Sequence, residues 1–140
     1  MENIEVPKSW SQLATDIAAS KYFKSAQVPI TGREISVKQM VSRVAETIRQ
    51  FGEENNYFNS QEDARAFEDE LTFMLVNQIG AFNSPVWFNC GLFHKYGIKG
   101  NKNPDTYFYN LETEQVEQCE DSYSHPQLSA CFIQKIEDSL

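Results

Sequence analysis

Ser36-Val37-Lys38-Gln39-Met40-Val41-Ser42-Arg43-Val44-Ala45-Glu46-Thr47-Ile48-Arg49-Gln50-Phe51-Gly52 is the stretch on which the fold turns. Val37, Met40, Val41, Val44 and Ile48 recur at helical spacing and form one apolar stripe. Ser36 stands where an N-cap hydroxyl satisfies a free backbone N–H. Gly52 is expected to end the helix. Lys38, Arg43, Glu46 and Arg49 fall largely outside the stripe and are expected on the surface. Such a stripe needs a partner, and the residues downstream offer one. Ser60 followed by Asp63 resembles a capping box, with Asp in place of the usual Glu or Gln. The helix it starts has Phe67, Leu71, Met74, Leu75 and Gln78 as its expected buried face. Upstream, Trp10, Leu13, Ala14, Ile17 and Ala18 predict a short helix from Ser9, its cap, to about Ala19. Pro29 and Gly32 make Tyr22 to Arg33 a connecting loop. Residues 1–80 therefore read as a small helical bundle.

The character changes after Gly80. Phe82-Asn83-Ser84-Pro85-Val86-Trp87-Phe88-Asn89 is aromatic, and its proline discourages a continued helix. Gly97, Gly100 and Pro104 mark a loop. Thr106–Asn110 and Gln115–Ser122 read as hairpin strands around Leu111-Glu112-Thr113-Glu114. Ser129-Ala130-Cys131-Phe132-Ile133-Gln134-Lys135-Ile136 reads as a further strand, and Glu137-Asp138-Ser139-Leu140 offers a helix start. A strand opening a β–α unit with no later strand to pair with is incomplete, so residues 81–140 are expected to be part of a larger structure.

Composition narrows the function classes. Twelve Lys plus Arg against twenty Asp plus Glu leave a net charge of −8. No basic cluster suits a nucleic-acid backbone, so a DNA- or RNA-binding role is not expected. The opening Met1–Gln12 carries Glu2, Glu5 and Lys8 and does not resemble a secretory signal. The most apolar run, Leu71–Phe82, is too short to span a bilayer. A cytoplasmic protein without membrane contact is the expectation. Cys90, Cys119 and Cys131 are too few and too irregular for a disulfide scaffold.

Taken singly, the chemically capable residues say little. A cysteine on a strand between Ala130 and Phe132 is ordinarily a small buried hydrophobe. Cys119, His125 and Cys131 lack the tight pairs of structural zinc sites, and no metal site is expected. Cys119 also has acids beside it and is a poor nucleophile candidate. The Asn83-Ser84-Pro85 corner could present a hydroxyl to an anion, although Ser-Pro turns are common. Trp87 and Phe88 are ordinary core residues more often than ligand-stacking ones.

Together the segments are far more specific. Val6-Pro7-Lys8-Ser9-Trp10-Ser11-Gln12-Leu13-Ala14, Ala19-Ser20-Lys21-Tyr22-Phe23 and Gly32-Arg33-Glu34 come first. Asp69-Glu70-Leu71-Thr72, Ala81 with the Phe82–Asn89 string, and Tyr96-Gly97-Ile98 follow. Pro126-Gln127-Leu128-Ser129-Ala130-Cys131-Phe132-Ile133-Gln134 and Glu137-Asp138-Ser139-Leu140 close the series. In this order they resemble the amino-terminal region of adenosylcobalamin-dependent (class II) ribonucleotide reductases. The resemblance implies an α+β fragment: a helical bundle leading through a loop and hairpin into the first strand of a ten-stranded α/β barrel.

It also implies a reaction. A thiyl cysteine abstracts the ribose 3′-hydrogen, and two further cysteines replace the 2′-hydroxyl with hydrogen and end as a disulfide. By motif position Cys131 resembles one of that reducing pair. Ser84 resembles a substrate-binding residue, and the Ala130–Cys131 backbone would lie against the same nucleotide. An inward position on a barrel strand would keep the Cys131 thiol neutral, as acid work requires. The implied cofactor is adenosylcobalamin, bound mainly by other regions. The implied partners are a ribonucleotide, the remainder of the reductase polypeptide and a thioredoxin-like reductant. Without that remainder the chain is expected to be inactive. Leu128 is bulkier than the family pattern, and Cys90 stands where a small apolar residue is usual. Rival readings are a freestanding interaction module for another reductase subunit, or a small zinc domain built on Cys119, His125 and Cys131.

Overall fold

The computed structural model describes residues 4–99, 107–119, 128 and 130. Helix α2, Val37–Glu54, organises the rest. Its Ser36 cap accepts from the Gln39 N–H at 3.0 Å, and Val37, Met40, Val41 and Val44 are buried as the stripe requires. Gly52 does not end it; the helix runs on to Glu54, and the chain turns through Asn56 at φ 57°. The reason is packing. A Cβ on Gly52 would stand 2.5 Å from Phe58 Cε2, so the missing side chain makes room for that ring.

Helix α3, Gln61–Val76, packs along α2 after a short turn. Ser60 caps it, accepting from the Asp63 N–H at 3.1 Å. The buried line differs from the expected one. Ala64 and Leu75 are buried and Leu71 packs on the core, whereas Phe67 is 36% and Met74 43% exposed. Small Ala64 lets the helices approach, and Phe67 is drawn aside against Phe58, with ring centroids 5.3 Å apart. Gln78 lies beyond the helix at φ 58°, where Ile79 N–H closes on the Met74 carbonyl at 2.9 Å in a left-handed cap.

The leading segment is stitched to this pair. Glu5 N–H donates to the Ile35 carbonyl and Val37 N–H to that of Glu5. Trp10 Nε1 donates to the Val76 carbonyl at 2.7 Å. Helix α1, Gln12–Ile17, is capped by Ser11, not Ser9; the Trp10 N–H bond to the Pro7 carbonyl places Ser9 in the preceding turn. The helix then widens into a π-turn, Ala18–Tyr22, closed by Phe23 N–H on the Ala18 carbonyl at 3.0 Å. Tyr22 is therefore the last residue of a helical element and not the first of the loop.

Two short helices cross the other side of α2: α4, Ser84–Asn89, and α5, Leu92–Tyr96. Pro85 does not prevent α4. It sits in the first turn, where its missing N–H has no helical partner to lose. Strands β1, Tyr107–Asn110, and β2, Gln115–Gln118, form the expected antiparallel hairpin, with Tyr109 opposite Val116. Among the described residues the fold is thus a mixed helical and two-stranded structure. No helix among the described residues is long and apolar enough to cross a membrane. The expected strand Ser129–Ile136 lies outside the described residues, apart from Ala130, which is exposed.

Candidate functional site

The Phe82–Asn89 string becomes helix α4, and three sets of contacts fix it. Trp87 is buried and donates Nε1–H to the Phe82 carbonyl at 3.0 Å, with the two rings edge to face. At the far end stands Arg43, expected on the surface but with 0% of its area exposed. Its Nη1 donates to the Cys90 carbonyl at 2.5 Å and its Nη2 to the Trp87 carbonyl at 2.9 Å. These are end-of-helix carbonyls with no helical partner, and the guanidinium acts as their cap.

The Arg43 charge is met by Glu34, also buried, through Nε to Oε1 at 2.8 Å. Glu34 Oε2 further accepts from the Lys24 N–H at 2.7 Å, and Oε1 from the Tyr96 hydroxyl at 2.8 Å. Burial, and next the adjacent Glu34 charge, push the Tyr96 phenol well above its ordinary pKa. Burial likewise raises the Cys90 thiol, with Arg43 opposing. Cys90 is consequently a neutral packing residue. Gly91, at φ 78°, makes the approach possible, because a Cβ there would lie 2.6 Å from both Arg43 Cγ and Thr47 Oγ1.

At the near end, half-buried Ser84 meets Tyr22. The Ser84 and Tyr22 hydroxyl oxygens are 3.2 Å apart, and the Tyr22 ring stacks on Phe88 at 5.4 Å and 17°. Ser84 and Phe88 are four residues apart on α4, so Tyr22 touches one face of it twice. The arrangement can hold a hydroxyl in a set direction next to an aromatic surface.

Of the sequence-derived site residues, Ser84 and Ala130 are described, and Cys131 lies outside the described residues. Arg43, Glu34, Tyr96 and Tyr22 were missed as parts of the site. The Gly32-Arg33-Glu34 and Lys21-Tyr22-Phe23 strings were the available signal. Among the described residues no group of three or more His, Cys, Asp or Glu could hold a metal. His125 and Cys131 of the zinc reading also lie outside the described residues. A corrin needs a broad, largely apolar bed. The larger of two grooves formed by described residues, about 460 Å³, is lined by Lys38, Glu46 and Lys95, and the smaller is about 300 Å³. Neither groove fits that group.

Residues 1–78 match the sequence family described as class II vitamin B12-dependent ribonucleotide reductase. A vitamin B12-dependent ribonucleotide reductase of Rhodopirellula baltica is 42% identical over 136 residues, covering 97% of this chain and 13% of that protein. Similar proteins of the same name occur in Bradyrhizobium diazoefficiens, 37% identical over 172 residues, and Streptomyces coelicolor, 39% over 137 residues. They align with 100% and 98% of this chain. The chain spans 11–14% of the length of these relatives. On that profile match and these identities, the chain belongs to the class II vitamin B12-dependent ribonucleotide reductase family, corresponding to its amino-terminal region.

Proposed function

We propose that the chain serves ribonucleotide reduction, contributing Ser84 and the Ala130–Cys131 backbone to the nucleotide site and Cys131 to the chemistry. Family membership supports the reaction class. The observation that carries the substrate assignment is the Ser84 hydroxyl at the head of a helix fixed at both ends. A neutral hydroxyl suits a phosphate or sugar oxygen and needs no basic cluster, which agrees with the net charge of −8.

In the proposed step, the Cys131 thiol gives its proton to the departing 2′-hydroxyl, which leaves as water. The second cysteine of the pair supplies the hydrogen that takes the hydroxyl's place at C2′, and the two sulfurs, having given up two electrons to the substrate, join as a disulfide. A thioredoxin-like dithiol then reduces that disulfide. Residues 1–80 form the supporting helical region, and residues 81–140 lead into the first strand of a ten-stranded barrel. Adenosylcobalamin and the thiyl cysteine are assigned to the remainder of the polypeptide, without which the chain is inactive.

The test uses the complete reductase. Cys131→Ser is expected to abolish multiple turnover, because a hydroxyl cannot form the product disulfide. Normal steady-state reduction by that variant removes Cys131 from the mechanism. Ser84→Ala is expected to raise KM for the ribonucleotide about fivefold, the equivalent of one neutral hydrogen bond worth about 1 kcal/mol. An unchanged KM and kcat refute the contact.

A further inference from the structure

Tyr22 packs against the core and also makes a polar contact that packing does not require. It ends the π-turn Ala18–Tyr22, a geometry that recurs at functional sites because the wide turn shifts the phase of the residues after it. Here it brings a phenol to Ser84 Oγ at 3.2 Å and a ring onto Phe88 at 5.4 Å. Two contacts on one face of α4 fix both its rotation and the direction of the Ser84 side chain.

A serine hydroxyl has one proton and two lone pairs. If Ser84 spends its proton on Tyr22, it can only accept from a ligand. A phenol is the more acidic partner and the better donor. With Tyr22 donating, the Ser84 proton is left for a ligand oxygen. Phosphate and carbonyl oxygens accept only, so this polarity matches a nucleotide.

We propose that Tyr22 is a positioning residue of the nucleotide site: its phenol donates to Ser84 Oγ, and its ring holds Phe88, so that the Ser84 hydroxyl proton faces an acceptor oxygen of the ribonucleotide. The inference rests on the assignment of Ser84 to the substrate. It adds a residue from the helical region, 62 positions away in the chain, that touches Ser84 and not the nucleotide.

The experiment compares Tyr22→Phe, Ser84→Ala and the double variant in the complete reductase, with a ribonucleotide as the varied substrate. Tyr22→Phe keeps the ring on Phe88 and removes only the hydroxyl. It is expected to raise KM about threefold to fivefold, the scale of one neutral hydrogen bond, with kcat and melting temperature unchanged. The double variant is expected to match Ser84→Ala, because Tyr22 acts through Ser84. Two outcomes overturn the proposal while Ser84 keeps its role: KM unchanged in Tyr22→Phe but raised in Ser84→Ala, or effects that multiply in the double variant. If neither variant alters KM, the Ser84 assignment falls, and this proposal with it. A loss of melting temperature with KM unchanged makes Tyr22 a folding contact and equally overturns it.

Discussion

Burying a guanidinium costs several kcal/mol of hydration unless its donors find acceptors. Arg43 meets that condition through Glu34 and the carbonyls of Trp87 and Cys90. Breaking the set from either side leaves an uncompensated buried charge. Glu34→Ala and Arg43→Met are each expected to cost about 3–5 kcal/mol in urea denaturation. Arg43→Lys should rescue little, since one ammonium lacks the planar fork that spans the three acceptors. A cost below about 1 kcal/mol for Arg43→Met would mean that the cluster adds nothing beyond packing. The same residues predict an alkaline limit. Tyr96 and Cys90 both have raised folded pKa values, so folding holds their protons more tightly than the unfolded chain does. Their contribution is complete below the unfolded values, about 8.5 for a thiol and about 10 for a phenol, and is lost as pH rises toward the folded values. The denaturation midpoint should fall from about pH 8.5 upward, and Tyr96→Phe should remove the part above about pH 10. The matching strings contained Glu34 and Tyr96, but their meeting at Arg43 was not legible in the sequence. Arg43 lies beside the stripe and reads as surface until α4 and α5 cover that flank. Its partner Glu34 sits in a loop at no helical spacing. Ser84 was singled out from its string alone, whereas its meeting with Tyr22, 62 positions away, was not legible there.

Elements meet closely where Gly91 crosses α2. Its φ of 78° and the 2.6 Å that a Cβ would leave to Arg43 Cγ and Thr47 Oγ1 make two separate demands for glycine. Gly91→Ala is expected to cost about 2–4 kcal/mol, from a left-handed penalty of about 1 and overpacking of about 1–3. Gly97 supplies the control. Its φ is 66° but nothing stands within 4 Å of its would-be Cβ, so Gly97→Ala should cost only about 1 kcal/mol. Equal costs in thermal or urea denaturation would show that the α2 crossing imposes no steric demand. The helix starts at Ser36 and Ser60 were readable because a capping serine and its N3 position are adjacent in sequence. Gly52 was not, because its role is set by Phe58, a side chain on the far side of the turn. Pro85 was read as discouraging a continued helix, and α3 does end at Val76; what went unread is that the same proline sits in the first turn of a new helix, α4.

Across the described molecule, stability is unevenly spread. Val37, Val41, Val44, Leu75, Trp87 and Cys90 share one buried cluster, in which α2, α3 and α4 support each other. Strands β1 and β2 pack chiefly on one another. Tyr107 and Tyr109 on one face and Phe108 on the other remain exposed, and the pair depends largely on its ladder and turn. The turn is held by Thr113 Oγ1 donating to Glu117 at 2.6 Å and Glu112 N–H donating to Asn110 Oδ1 at 2.9 Å. A two-stranded hairpin held so locally is marginal in water, whereas amides in a buried helix open only with the whole unit. In hydrogen exchange on the 140-residue chain, the Tyr107–Asn110 and Gln115–Gln118 amides should exchange within about tenfold of unfolded rates. Central α2 amides, from Met40 to Ile48, should exchange only through global unfolding. Arg43→Met should then speed exchange in α2 and α4 and leave the hairpin unchanged, because the cluster it breaks does not reach those strands. If hairpin amides are as protected as those of α2, or lose protection together with them, the two parts share one cooperative unit and this division of stability is wrong.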